Sequence, residues 1–147
     1  MTTGRSGIAI DGLDELAHIF DAVGPREARN LNRATIHGIA SVTAKEAKAK
    51  APKDSGTLKK AIKAKRRKPK DPDKPFSDVM VESGKDAKYD GFYWHFVEYG
   101  TTTQQARPFM QPAIDQVRPN VPAIYKEQFF KKLAQRIKRE SKKTQRK

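Results

Sequence analysis

The chain has 147 residues, a length typical of one domain with a single core, and 36% of them are hydrophobic, a low share for a globular domain. It contains 31 lysines and arginines against 17 aspartates and glutamates, which gives a formal net charge of +14 at pH 7. The lack of cysteine excludes disulfides and thiolate metal sites. No apolar run reaches the roughly 18 residues of a membrane helix, and the N-terminus lacks the apolar segment of a signal peptide. We therefore expect no membrane association, and a protein used in the cytoplasm or in a particle assembled there.

The first elements in chain order are two helices. Apolar residues at three- and four-residue spacing predict an amphipathic helix over Asp11–Val23: Leu13, Leu16, Ala17, Phe20 and Val23. Gly24 and Pro25 end it and open a second helix, which runs to about Lys50 and stops before Pro52. Small residues within the second helix would let another element approach closely.

A β-hairpin is predicted next. Pro52–Leu58 has the composition of a turn in which Asp54 and Ser55 can cap backbone amides. A strand over Ala61–Arg67 and a second over Asp78–Ser83 are separated by a proline-rich loop. Two strands with so short a connection are expected to pair antiparallel.

The remaining elements are mainly helical. Phe92–Tyr99 fits a strand or a helix equally well, because its aromatics satisfy both periodicities. After a polar loop, a helix opens at Pro108, prolines at 119 and 122 interrupt the pattern, and a last helix begins near Val121. The sequence thus predicts an α+β domain over residues 1–137, with N-terminal helices, a small antiparallel sheet and C-terminal helices packed on it. Lys138–Lys147 is predicted to be a basic tail, disordered or ordered only by a partner.

No catalytic or metal-binding set can be assembled from the sequence. His18, His37 and His95 are scattered without metal-ligand spacing, and each close pair of carboxylates has an ordinary structural explanation. We therefore expect no enzymatic activity, no metal and no cofactor.

The positive charge is concentrated in two segments. Lys45–Lys74 carries 13 basic and 4 acidic residues, and Arg118–Lys147 carries 11 and 2, so each has a net charge of +9 while the rest of the chain carries −4. On the first strand, Lys63, Lys65 and Arg67 would share one face. With Arg66 they are candidate contacts for DNA or an acidic protein, without sequence preference. A solvated surface explains the same charges.

Glu98 is the most informative acidic residue, because it follows a run of aromatic and apolar residues. A carboxylate there is expected to be partly buried. It can pair with a lysine or arginine, with Arg107 the nearest candidate across the polar loop, or it can cap backbone amides. Either role is structural rather than catalytic.

Three motifs, in this order, resemble the neck proteins of lambdoid phages with long tails, which complete the tail and join it to the head. Ala51–Leu58 (APKDSGTL) is similar to that family's Ala-Pro-x-Asp-Thr-Gly-x-Leu turn, with Ser55 where threonine is commoner. Phe96–Thr101 (FVEYGT) is similar to its Phe-Val-Glu-Phe-Gly-Thr, and Arg107–Ala113 (RPFMQPA) to its Arg-Pro-Phe-x-x-Pro-Ala.

The resemblance implies a structural virion protein, an α+β subunit of a closed ring, expected to be a hexamer. The ring would lie between the head-completion (stopper) protein and the tail tube or its terminator protein, around the channel for genome DNA. The motifs then supply candidate interface or structural residues: Trp94, Phe96, Glu98, Tyr99, Gly100, Arg107, Pro108 and Phe109. The aromatics among them can equally form the core of a monomer. The alternative function is that of a basic protein that binds nucleic acid without sequence specificity.

Overall fold

The computed structural model describes residues 18, 21–53 and 56–146. Over these residues the chain forms an α+β fold, which confirms the predicted class. Its elements, in order, are α1 (Pro25–Lys50), α2 (Thr57–Ala61), β1 (Ile62–Arg66), β2 (Ser77–Val81), α3 (Trp94–Tyr99), α4 (Met110–Val117), a 3₁₀ turn at Arg118–Asn120, and α5 (Val121–Thr144). Most of the predicted helix over Asp11–Val23 lies outside the described residues, although 21–23 are helical. The predicted capping residues Asp54 and Ser55 also lie outside them.

Helix α1 is the central element, and its ends follow the sequence signals. Gly24 precedes it with a φ of +80°, and Pro25 occupies its first turn. Its buried face consists largely of small residues, and the sheet, α4 and α5 pack against it. At Gly38 a β-carbon would lie 2.4 Å from Oε1 of Gln128 on α5, so the glycine permits the close approach of these two helices.

The predicted hairpin is confirmed, with its first strand starting one residue later than expected. β1 and β2 pair antiparallel from Ile62 opposite Val81 to Arg66 opposite Ser77. The short helix α2, which was not predicted from the sequence, occupies the residues immediately before β1. Because α2 and β1 are contiguous, Leu58 and Ile62 both enter the core.

Two groups of buried side chains hold the described elements together. The larger group joins α1, α2, the sheet, α3 and α4, and contains Ala44, Ala47, Ala51, Leu58, Ala61, Ile62, Val81, Val97, Phe109 and Ala113. The smaller joins α1 and α5 through Leu31 and the fully buried Phe129. The hydroxyl of Tyr125 adds a hydrogen bond of 2.9 Å to Oδ1 of Asn32 across the same helix pair.

The C-terminal segment differs from the prediction of disorder. Helix α5 continues through Lys138 and ends at Thr144, although the side chains of 138–143 are exposed. Lysine, arginine, glutamine and glutamate are good helix formers, and extending an existing helix needs no new nucleation. The absence of apolar residues accounts for the exposure of these side chains but did not imply loss of helix. The division into a domain and a tail at residue 137 stays a prediction.

Candidate assembly interface

Glu98 fastens the start of α4 to the end of α3. Its side chain is buried, and its Oε2 accepts hydrogen bonds from the backbone N–H groups of Phe109 (2.8 Å) and Met110 (2.9 Å), while Oε1 accepts one from Gln111 (2.9 Å). These donors belong to the first turn of α4, where backbone amides have no helical partner. A carboxylate there also complements the positive end of the helix dipole. Of the two roles predicted for Glu98, capping of backbone amides is confirmed.

The loop between α3 and α4 is closed at its base by the backbone. Gly100 has a φ of +75°, and a β-carbon on it would lie 2.8 Å from the backbone nitrogen of Ala106. The N–H of Arg107 donates to the carbonyl of Val97 at 2.8 Å, and the N–H of Thr101 donates to that of Gln104 at 2.8 Å. The predicted joining of the loop ends therefore occurs through main-chain bonds of Arg107, while residues 101–108 remain exposed.

Phe109 lies inside the molecule rather than on an interface. Its side chain is fully buried in the larger core group, and its backbone N–H donates to Oε2 of Glu98. The preceding Arg107 and Pro108 are exposed. The Arg-Pro-Phe motif thus combines a core anchor with a short exposed segment.

Three aromatic side chains remain largely in solvent around α3, and we call Phe92, Phe96 and Tyr99 the α3 aromatic patch. Their exposed fractions are 65%, 52% and 74%. Phe96 and Tyr99 are three residues apart on the helix and are therefore neighbours on one face. Trp94, by contrast, packs against the larger core group. His95 lies between Trp94 and Tyr99, and its ring centroid is 3.7 Å from that of Trp94 and 6.3 Å from that of Tyr99.

The structure therefore divides the predicted interface residues into two sets. Trp94, Glu98, Gly100 and Phe109 are explained by contacts within the chain. Arg107 and Pro108 are exposed in the α3–α4 loop. Phe96 and Tyr99 are exposed beyond what a monomer core requires, and Phe92 joins them. The three-residue spacing of Phe96 and Tyr99 was visible in the sequence, but it identified a face only once the segment was known to be a helix. Phe92 lies in the turn before that helix.

The predicted basic strand face is partly neutralised within the chain. Nζ of Lys63 lies 2.7 Å from Oε2 of Glu82, and Nε of Arg67 lies 2.5 Å from Oδ2 of Asp78. Lys65 is exposed between them. Because strand side chains alternate, Arg66 points to the other face of the sheet, toward α1. The four predicted contact residues thus do not form one uniform surface.

No metal site or membrane helix is found among the described residues. No group of three or more histidine, aspartate or glutamate side chains in 18, 21–53 and 56–146 is arranged to hold a metal ion. Within the same ranges, no helix is long and apolar enough to span a bilayer.

The chain matches a model of a known protein family. Residues 14–100 match the HK97-gp10-like model, described as "Bacteriophage HK97-gp10, putative tail-component". The matched range includes the APKDSGTL turn and ends at Gly100, so it stops before the RPFMQPA motif. No curated protein and no solved structure matches the chain. The family match confirms the resemblance to a tail-component family of phages.

Proposed function

Because the chain belongs to the HK97-gp10-like family of bacteriophage tail components, we propose that it is a structural subunit of the ring that completes the tail and joins it to the head. Six copies would close around the DNA channel, between the head-completion (stopper) protein and the tail tube or its terminator protein. The subunit would act without catalysis, assembling in the host cytoplasm and remaining in the neck of the virion.

The observation that carries this proposal is the α3 aromatic patch. Large aromatic side chains are enriched at the centres of protein interfaces, where their burial supplies much of the binding energy. Phe92, Phe96 and Tyr99 belong to the family-matched range and are each more than half exposed. A closed ring uses a heterologous interface, so this patch would pack against a different surface of the neighbouring subunit.

The α3–α4 loop supports a second contact, along the axis of the ring. Its base is fixed by Gly100, by the Arg107 main chain and by Glu98, whereas residues 101–108 are exposed. A loop held rigidly at both ends is well suited to docking, since little conformational entropy remains to be lost on binding. We propose that Arg107 and Pro108 contribute to stacking on an adjacent ring.

The aromatic patch is tested by the double variant Phe96→Ser/Tyr99→Ser. The matched control is Phe76→Ser/Ile137→Ser, which removes two other exposed hydrophobic side chains, 47% and 62% accessible, outside the patch. Negative-stain imaging and native mass measurement, alone and with purified tail-tube ends, report assembly, and thermal melting reports folding. We expect the wild type and the control to form rings, and the patch variant to remain a folded monomer.

Two other results would count against this proposal in different ways. Ring formation by the patch variant at wild-type concentration would show that the interface lies elsewhere. A wild-type chain that stays monomeric in isolation and also with tail-tube ends would overturn the ring function itself.

A further inference from the structure

A groove between α1, the end of β1 and α5 collects basic side chains that are distant in sequence. It has a volume of about 480 Å³. The cationic residues that line it come from all three elements: Arg33, Arg66, Lys132, Arg136 and Arg139. Asn30 and Gln135 add neutral polar groups. Of the groove residues, Arg66 was a predicted contact, but the groove itself was not predicted because its members converge only when α5 packs along α1.

Little negative charge offsets these cations within the described part of the chain. Arg136 forms an ion pair with Glu27, and Nη2 of Arg33 donates to the carbonyl of Arg67 at 3.2 Å. Arg66, Lys132 and Arg139 make no ion pair with any described carboxylate, and no described acidic residue lines the groove. The outer face of the hairpin differs, because Glu82 and Asp78 neutralise two of its cations.

The imidazole of His37 on α1 lies in the electrostatic field of these cations. Burial is the main cause that lowers the pKa of its imidazole, and the charges of Arg66 and Lys132 lower it further. Arg66 and Lys132 are separated by 66 positions in sequence, but both line the groove and both act on this one imidazole.

We propose that this basic groove binds phosphate groups of the backbone of double-stranded DNA. Guanidinium groups match phosphate oxygens with paired hydrogen bonds, and most of the cations in the groove are arginines. No aromatic side chain is among the described lining residues, so the groove offers no platform for the stacking that single-stranded nucleic acid uses. Contacts of this kind are indifferent to base sequence.

The composition of the groove favours DNA over an acidic protein. Protein interfaces bury apolar anchors at their centre and exclude charge there. The apolar lining residues here are Leu31, which is already buried beneath α5, and the small Ala34. Neutralising phosphates requires only cations and released counterions, which this groove supplies. That the bound duplex is the genome in the neck channel rests on the proposed function, whereas the binding itself does not.

The test compares two triple variants that remove the same charge. Arg66→Gln/Lys132→Gln/Arg139→Gln alters the groove, and Lys68→Gln/Lys70→Gln/Lys85→Gln removes three exposed lysines that do not line it. Fluorescence anisotropy with a short mixed-sequence duplex gives the affinity at several salt concentrations. Because each phosphate contact contributes about 0.9 to the slope of log K against log salt, the groove variant should lose about 2 to 3 from this slope. Its affinity at low salt should fall at least tenfold, on the order expected for such a slope.

Two further variants and two contrary outcomes complete the test. The single variant Arg139→Gln should reduce the slope by about 1, which keeps the test valid if the triple variant melts early. The folded Phe96→Ser/Tyr99→Ser chain should bind duplex with an unchanged slope per subunit, so a failure of ring assembly leaves the groove testable. Equal losses in the groove and control variants would overturn the proposal in favour of diffuse electrostatics. Full duplex binding by the groove variant, with loss of docking to neighbouring ring proteins, would overturn it in favour of a protein interface.

Discussion

The side chain of Glu98 links two segments that are 11 to 13 residues apart in sequence, the end of α3 and the start of α4. It lies in the last turn of α3, yet all three of its described hydrogen bonds go to the start of α4. A neutral capping residue can accept from one or two amides, whereas a carboxylate offers two oxygens and a charge to three. The acidic residue in the FVEYGT motif is thus explained by local backbone chemistry rather than by a partner.

The isosteric variant Glu98→Gln tests this explanation. Its amide nitrogen would face backbone N–H donors, and at least one buried donor would lose its acceptor. We expect the free energy of unfolding to fall by about 1–3 kcal/mol, measured by urea denaturation. The control Asp86→Asn removes an exposed carboxylate and should change it by less than about 0.5 kcal/mol. Equal stability of the two variants would show that the three hydrogen bonds are not required.

At the scale of elements, residues that act locally could be interpreted from sequence, and residues that act through distant contacts could not. Pro25 and Gly24 fixed the start of α1, and the alternation of the strands fixed the hairpin to within about two residues. The state of α3 was undecidable, because six residues with aromatics at several spacings satisfy both a helix and a strand. The basic groove could not be predicted from the sequence, since it depends on how closely α5 approaches α1 at Gly38.

Phe109 is the residue through which the RPFMQPA motif enters the larger core group. Its side chain is fully buried among the larger core group. Phe109→Ala should therefore lower the free energy of unfolding by about 3–5 kcal/mol, since it would leave a cavity in the core group that the sheet shares with helices α1 to α4. Phe76→Ala is the matched control, because that ring is 47% exposed and lies outside the α3 aromatic patch, so its removal should cost less than about 1 kcal/mol. If the two variants have the same denaturation midpoint, Phe109 is not the anchor of this region.

For the whole molecule, the parts that stabilise the fold and the parts that carry its charge are largely separate. The larger core group lies within residues 44–113 and the smaller joins Leu31 to Phe129, while the last turns of α5 carry lysines and arginines without burying described side chains. A net charge of +14 opposes compaction through self-repulsion but favours association with polyanions. The C-terminal end of α5 is therefore expected to contribute to binding rather than to stability.

Deletion of Lys142–Lys147 tests this separation, because it removes four cations and lowers the net charge from +14 to +10. The described side chains of this segment are exposed, so the unfolding free energy should stay within about 0.5 kcal/mol of the full chain. Retention on a heparin column should fall, since the lost charges attract polyanions.

Deletion from Arg136 onward is the contrasting variant. It also removes the ion pair with Glu27 and the groove residue Arg139, so it should reduce both stability and duplex affinity. Failure of the shorter deletion to fold would mean that the end of α5 belongs to the folded domain, and that charge and stability are not separable in this chain.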